Sequence, residues 1–238
     1  MARAGEKIYN PLQNDWIVFK ETAQDASGAL MRGELVVSPS GGNPLHVHPL
    51  QEEHFKVLSG TLGVQVGDEH RSLGQGEEAL VPPGTPHRWY NAAYQQEARV
   101  LVELRPALNT EVFFETLYGL ARDGKTDENG VPNLLQQAVT LTGVNKGEIY
   151  LARPPIPVQK AFLAALAPVG KLLGYKDHYP KYSAAEAPGA EEAGPPSATS
   201  VMARGVALGI LLLVSSLFLL GRMRRLRIGW LRDCSDLR

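Results

Sequence analysis

The chain has 238 residues, enough for one ordinary domain with extensions. A formal charge of -1 at pH 7 and a pI near 6.6 give no basic footprint, so nucleic acid is excluded as an expected partner. The single cysteine, Cys234, allows no intrachain disulfide, and the polar stretch after Met1 lacks the apolar core of a secretory signal, so a reducing compartment is expected.

From residue 8 to residue 106 the sequence reads as short strands punctuated by turn residues. Strands are expected at 16–19, 34–38, 45–48, 55–58, 61–66, 79–81, 88–90 and 100–104. Gly41-Gly42-Asn43, Ser59-Gly60, Gly67-Asp68 and Gly74-Gln75-Gly76 supply the reversals between them. After Pro106 the period changes to that of helices. Asn109 or Thr110 can cap a helix running to Arg122, whose stripe of Phe113, Leu117 and Leu120 would pack on the strands. A second helix is expected at 133–142, with Pro132 suited to its first turn. A third is expected at 158–174, kinked at Pro168.

Residues 183–204 hold Ala, Pro, Gly, Glu and Ser without a large apolar side chain until Val201, which predicts a disordered linker. The segment 205–221 carries no charge and lies near the lower limit, about 17 residues, for a bilayer-spanning helix. A basic tail at 222–238 follows, with Arg222, Arg224, Arg225, Arg227 and Arg232. The expectation is a single-pass C-terminal membrane anchor. The charge bias would put the tail in the cytoplasm, but the missing signal outweighs it and predicts a cytosolic first domain.

The chemistry is concentrated in two segments. In the first, His46-Val47-His48 is followed after four residues by Glu53 and after six more by Gly60. In the second, Gly76 precedes Pro82-Pro83-Gly84, then His87 and Asn91. Side chains at i and i+2 of a strand share a face, so His46 and His48 can approach one ion while Val47 faces away. The phase of the next strand puts Glu53, Phe55 and Val57 on one face and His54 and Lys56 on the other. His87 follows a proline-rich turn that can aim it inward. Three imidazoles and one carboxylate suit a first-row divalent ion with coordination positions left open. His54, His70 and His178 fall outside this pattern.

These two segments resemble the paired signature motifs of the cupin superfamily. One departure stands out: the glycine expected six residues before the first histidine is Ser40, with Gly41 one place late. The resemblance covers 8–106 and implies a mainly β fold, a small antiparallel jelly-roll barrel holding one divalent transition metal (Fe, Mn, Zn, Ni or Cu) on His46, His48, Glu53 and His87. Residues 107–182 would be a helical extension packed on that barrel or across a homodimer, followed by the transmembrane helix.

In phase with the ligands, Phe55, Val57, Val64, Val66 and Trp89 would line an apolar pocket, with Asn91 as a polar contact. Such a lining suits a small apolar or aromatic molecule. The expected function is a metal-dependent, oxygenase-type enzyme anchored to a membrane. The alternatives are a metal-dependent isomerase, for which Glu103 and Tyr90 are the only acid-base candidates, and a non-catalytic sensor or carrier of a small ligand.

Overall fold

The structure, a computed structural model, describes residues 2–93, 95–128 and 130–183. They belong to one unit, Met1–Gly189; the second unit, Ala190–Arg238, lies outside the described residues.

Ten strands come first: β1 (Lys7–Asn10), β2 (Asp15–Glu21), β3 (Met31–Val37), β4 (His46–Val47), β5 (Glu52–Ser59), β6 (Leu62–Val66), β7 (Glu69–Leu73), β8 (Glu78–Val81), β9 (His87–Asn91) and β10 (Ala98–Arg105). The helices α1 (Thr110–Arg122) and α2 (Leu134–Thr142), a short strand β11 (Tyr150–Leu151), and α3 (Ile156–Leu172) follow. Alternation of apolar and polar residues makes the strands half-buried. In β9, His87, Trp89 and Asn91 point inward while Arg88 and Tyr90 face out.

The strands form two antiparallel sheets, one in the order β1-β2-β3-β10-β5-β8 and the other β11-β4-β9-β6-β7. The core lies between them, with Phe19, Met31, Phe55 and Val102 from the first sheet meeting Leu62, Val64, Leu73 and Trp89 from the second. Helix α1 adds Phe114, Leu117 and Tyr118 to the same core. In α2, Asn133 accepts from Gln136 N at 3.1 Å and caps the helix.

Several expectations are corrected here. The barrel is not closed: among the described residues two separate ladders face each other, and no strand pairing joins the six-stranded sheet to the five-stranded one. The fold is a mixed sheet-and-helix form of the expected architecture. The expected transmembrane helix at 205–221 and the basic tail at 222–238 lie outside the described residues, and no helix among those described is long and apolar enough to cross a membrane. The membrane anchor, the membrane localisation and the cytosolic orientation that depended on it are therefore not carried forward. Nor is the homodimer that the resemblance implied: α1 packs on β1 and into the core of its own chain.

Candidate metal centre

Strand β4 is only two residues long, yet it is held on both sides. His46 pairs with His87 of β9, and Val47 pairs with Tyr150 of β11. This registers the first histidine opposite the third. The turn after β8 is fixed by Gly84 N donating to His48 O at 2.8 Å and Thr85 N donating to Pro82 O at 3.2 Å. Glu53 comes from β5 in the other sheet, on the inward phase shared with Phe55 and Val57. Two sheets thus converge on one point.

His46, His48, Glu53 and His87 are all buried, and one ligand atom from each lies within 4.8 Å of the others. Ring centroids are 5.0 Å apart for His46 and His48, 4.2 Å for His46 and His87, and 5.5 Å for His48 and His87. Every imidazole is tethered through Nδ1 to a main-chain carbonyl: His46 to Pro44 O at 2.9 Å, His48 to Glu148 O at 3.0 Å and His87 to Thr85 O at 2.8 Å. Because a carbonyl only accepts, each Nδ1 carries the proton and each Nε2 is left for the centre. That is the tautomer a metal-ligating histidine needs. The donor set and its tethers fit a divalent transition metal, which the cluster is capable of coordinating.

Electrostatics agree with this arrangement. Burial, with the neighbouring His48 and His87, pushes the His46 ring down to about 3, and burial likewise lowers His48. Burial alone would raise the Glu53 carboxyl, but the His87 hydrogen bond and the charges of the three rings bring it down to about 2. For His87, burial is outweighed by Glu53, whose Oε2 lies 2.7 Å from Nε2, and its value is raised.

A cavity of about 190 Å³ opens from the cluster. Its walls include Ile17, Leu35 and Val102 from the first sheet, Trp89 from the second, and Phe114 and Leu117 from α1. The wall also includes His46, His48 and Glu53. Of the apolar residues expected to line a pocket, Trp89 does so. Phe55, Val57 and Val64 are buried in the core between the sheets, Val66 packs against that core, and none of the four borders the cavity. Asn91 ties the chain instead, donating to Val37 O at 2.8 Å and Gln96 O at 2.7 Å.

Glu103 is engaged by Arg32 and Arg105, and Tyr90 is partly exposed, so neither acid-base candidate borders the cavity. His54 pairs with Glu78 at 3.1 Å, His178 with Asp177 at 2.9 Å, and His70 is exposed. Sequence reasoning missed Gln51, Asn145 and Glu148, buried polar residues of the same wall. The only signal for the roof was the apolar stripe of α1.

Residues 33–102 match the family model described as the cupin domain. The chain thus carries a cupin-superfamily domain, here with a helical extension and a histidine–glutamate cluster able to bind metal. Among curated proteins it is 30% identical over 153 residues to an oxidoreductase of Arthrobotrys oligospora, covering 59% of each chain. It is 28% identical over 197 residues to the probable oxidoreductase virH of Hypocrea virens, covering 75% of this chain and 87% of that one. A probable oxidoreductase of Aspergillus niger, yanE, is 32% identical over 156 residues, covering 59% of this chain and 58% of the relative. The match therefore spans little more than half the length of the Arthrobotrys and Aspergillus relatives.

Proposed function

We propose that the protein is a metal-dependent oxidoreductase acting on a small, largely apolar organic molecule. The observation that carries this reading is the continuity of the His46, His48 and Glu53 cluster with a cavity walled mainly by aliphatic and aromatic side chains. Among the described residues lining it, none is lysine or arginine, which disfavours a phosphorylated or strongly anionic substrate. The oxidoreductase names of the relatives support the reaction class.

In this reading residues 8–106 hold the ion on His46, His48, Glu53 and His87, and residues 107–182 roof the cavity. A divalent ion there would supply Lewis-acid or redox chemistry at its open positions. The chain's own contribution is orientation and exclusion. Nδ1 tethers aim three rings, Glu53 offsets the ion's charge, and Phe114, Leu117 and Trp89 keep water from the substrate's apolar body.

The test is metal analysis of the full chain beside a His46→Ala/His48→Ala variant, followed by oxidation assays with hydroxylated aromatic compounds under air. Stoichiometric metal lost in the variant, together with oxidised product from the wild type, is the expected result. Full metal occupancy in the double variant overturns the assignment.

A further inference from the structure

His48 is tethered differently from the other two rings. The carbonyls that hold His46 and His87 lie two residues earlier on their own turns, at Pro44 and Thr85, whereas the one that holds His48 comes from Glu148, 100 residues along the chain.

That carbonyl belongs to a segment pinned at both ends. On one side β11 pairs with β4, Tyr150 opposite Val47 and Leu151 opposite His46, and Ala152 N donates to Leu45 O at 3.1 Å. On the other side the segment grips the head of α1. There Asn109 Nδ2 donates to Val144 O at 2.9 Å and Asn145 Nδ2 donates to Asn109 O at 3.0 Å.

The Glu148 side chain closes this clasp. Buried, its carboxylate accepts from Asn109 Nδ2 at 2.8 Å, from Asn109 N at 3.2 Å and from Asn145 Nδ2 at 3.2 Å. The Asn109 side chain forms no cap on α1. Glu148 takes the Asn109 main-chain N–H instead, as the glutamate of a capping box does from inside a helix, and its charge sits where the helix dipole favours an anion. All three donors are uncharged amides, so the cost of desolvating the carboxylate is offset only while they converge on it. Carboxylate and carbonyl belong to one residue, and the clasp that fixes the first also fixes the oxygen facing His48 Nδ1.

We propose that Glu148 is a positioning residue for the metal centre: by gripping the head of α1 through its carboxylate, it holds its own carbonyl against His48 and sets that ring's tautomer and aim. The helical extension is then part of the centre as well as a roof over the cavity. The zinc measurement below rests on the metal-dependent reading above, whereas the ring measurement does not.

The experiment compares the full-chain wild type with Glu148→Ala, Glu148→Gln and Asn133→Ala, the last of which removes the α2 cap elsewhere in the extension. Nitrogen-15 NMR of the histidine rings reads exchange of each Nδ1 proton with water, and chelator competition reads zinc affinity. Glu148→Ala is expected to lose protection at His48 alone and to bind zinc about 10–100-fold more weakly, the cost of an outer-shell partner. Glu148→Gln, which keeps one acceptor oxygen for Asn109, should fall between, and Asn133→Ala should change neither reading. A His48 proton still protected in Glu148→Ala, or an unchanged zinc affinity, overturns the proposal. So do equal losses in Asn133→Ala, which would mark a general loosening of the extension, and free exchange of the His48 proton in the wild type. If Glu148→Ala does not fold, Glu148→Gln decides by the same two readings. Zinc that fails to bind the wild type sinks the metal-dependent reading instead. The His48 proton of the zinc-free chain then decides alone: its loss in Glu148→Ala supports the proposal and its retention overturns it.

Discussion

His87 meets a hydrogen-bond acceptor at both ring nitrogens, Thr85 O at 2.8 Å from Nδ1 and Glu53 Oε2 at 2.7 Å from Nε2. With Glu53 held down to about 2 and His87 raised, a proton between them rests on the ring, so below the raised His87 value the metal-free pair is carboxylate and imidazolium. That proton stands where a cation would be bound by the same two atoms. Glu53 and His87 are thus a preformed ion pair that a metal converts into two ligands.

Metal binding must then expel one proton as long as His87 is charged. Zinc affinity is expected to fall about tenfold per pH unit as pH drops below the raised His87 value. His46, already down to about 3, adds no proton step in mild acid, and His48, lowered from its ordinary value, is neutral near pH 7. Calorimetric titration in two buffers of different ionisation enthalpy gives the proton count. A release of two or more protons near neutrality would contradict the neutral state of His46 and His48.

Glu53→Gln tests the other half of the pair. Without the carboxylate, burial acts on His87 against the Thr85 hydrogen bond alone and its pKa should fall below the ordinary 6.5, readable in the ring's NMR titration. Zinc affinity should drop more than about a hundredfold, beyond what loss of an outer-shell partner costs. The fold should persist, because the Thr85 tether does not involve Glu53.

The site was legible in the sequence because its ligands obey short-range rules. An i, i+2 pair fixes His46 and His48, strand phase chooses Glu53 over Glu52, and the Pro82–Pro86 turn delivers His87. The pocket was not, since phase says which residues point inward but not where the two sheets part: Phe55, Val57 and Val64 point inward and are consumed by packing. The open edges were hidden for a similar reason, because strand ends alone do not reveal whether β8 pairs onward. Helix α1 was expected from a cap at Asn109 or Thr110 to Arg122 and is observed at Thr110–Arg122, while its part in the cavity depended on tertiary packing. β1, β7 and β11 were overlooked. β7 has four exposed residues of five and β11 only two residues, too little apolar pattern to read.

The displaced motif glycine has a structural cost. Ser40 adopts φ 66°, a left-handed conformation, while Gly41 cannot carry a side chain because a Cβ would come within 2.7 Å of Val37 Cγ1. Ser40→Gly should therefore stabilise the protein by about 1 kcal/mol, the left-handed penalty less the entropy of the added glycine. Gly60, at φ 79°, lies where a Cβ would strike Glu97 O and sit 2.9 Å from Ala98 Cα, both main chain. Gly60→Ala should cost more than about 2 kcal/mol. Denaturant midpoints measure both; a destabilised Ser40→Gly would show that its side chain is worth more than the strain.

Asp15 supplies the last prediction. It is 0% exposed at the start of β2, and neither carboxylate oxygen has a formed hydrogen bond, although the Tyr118 hydroxyl beside it opposes part of the effect. Burial raises its pKa from 3.8 to about 7. The folded chain thus keeps a proton that the unfolded chain has released, so this residue's contribution to stability is present in acid and is lost as pH rises between about 4 and 7. At about 1.4 kcal/mol per unit, the loss amounts to about 4 kcal/mol. Asp15→Asn removes the titration. Its stability relative to the wild type should climb with pH across that window and level off above it, as read from urea unfolding at a series of pH values. Parallel curves for the two proteins would mean that Asp15 ionises in the folded state as freely as in the unfolded chain, and that its burial is relieved by water.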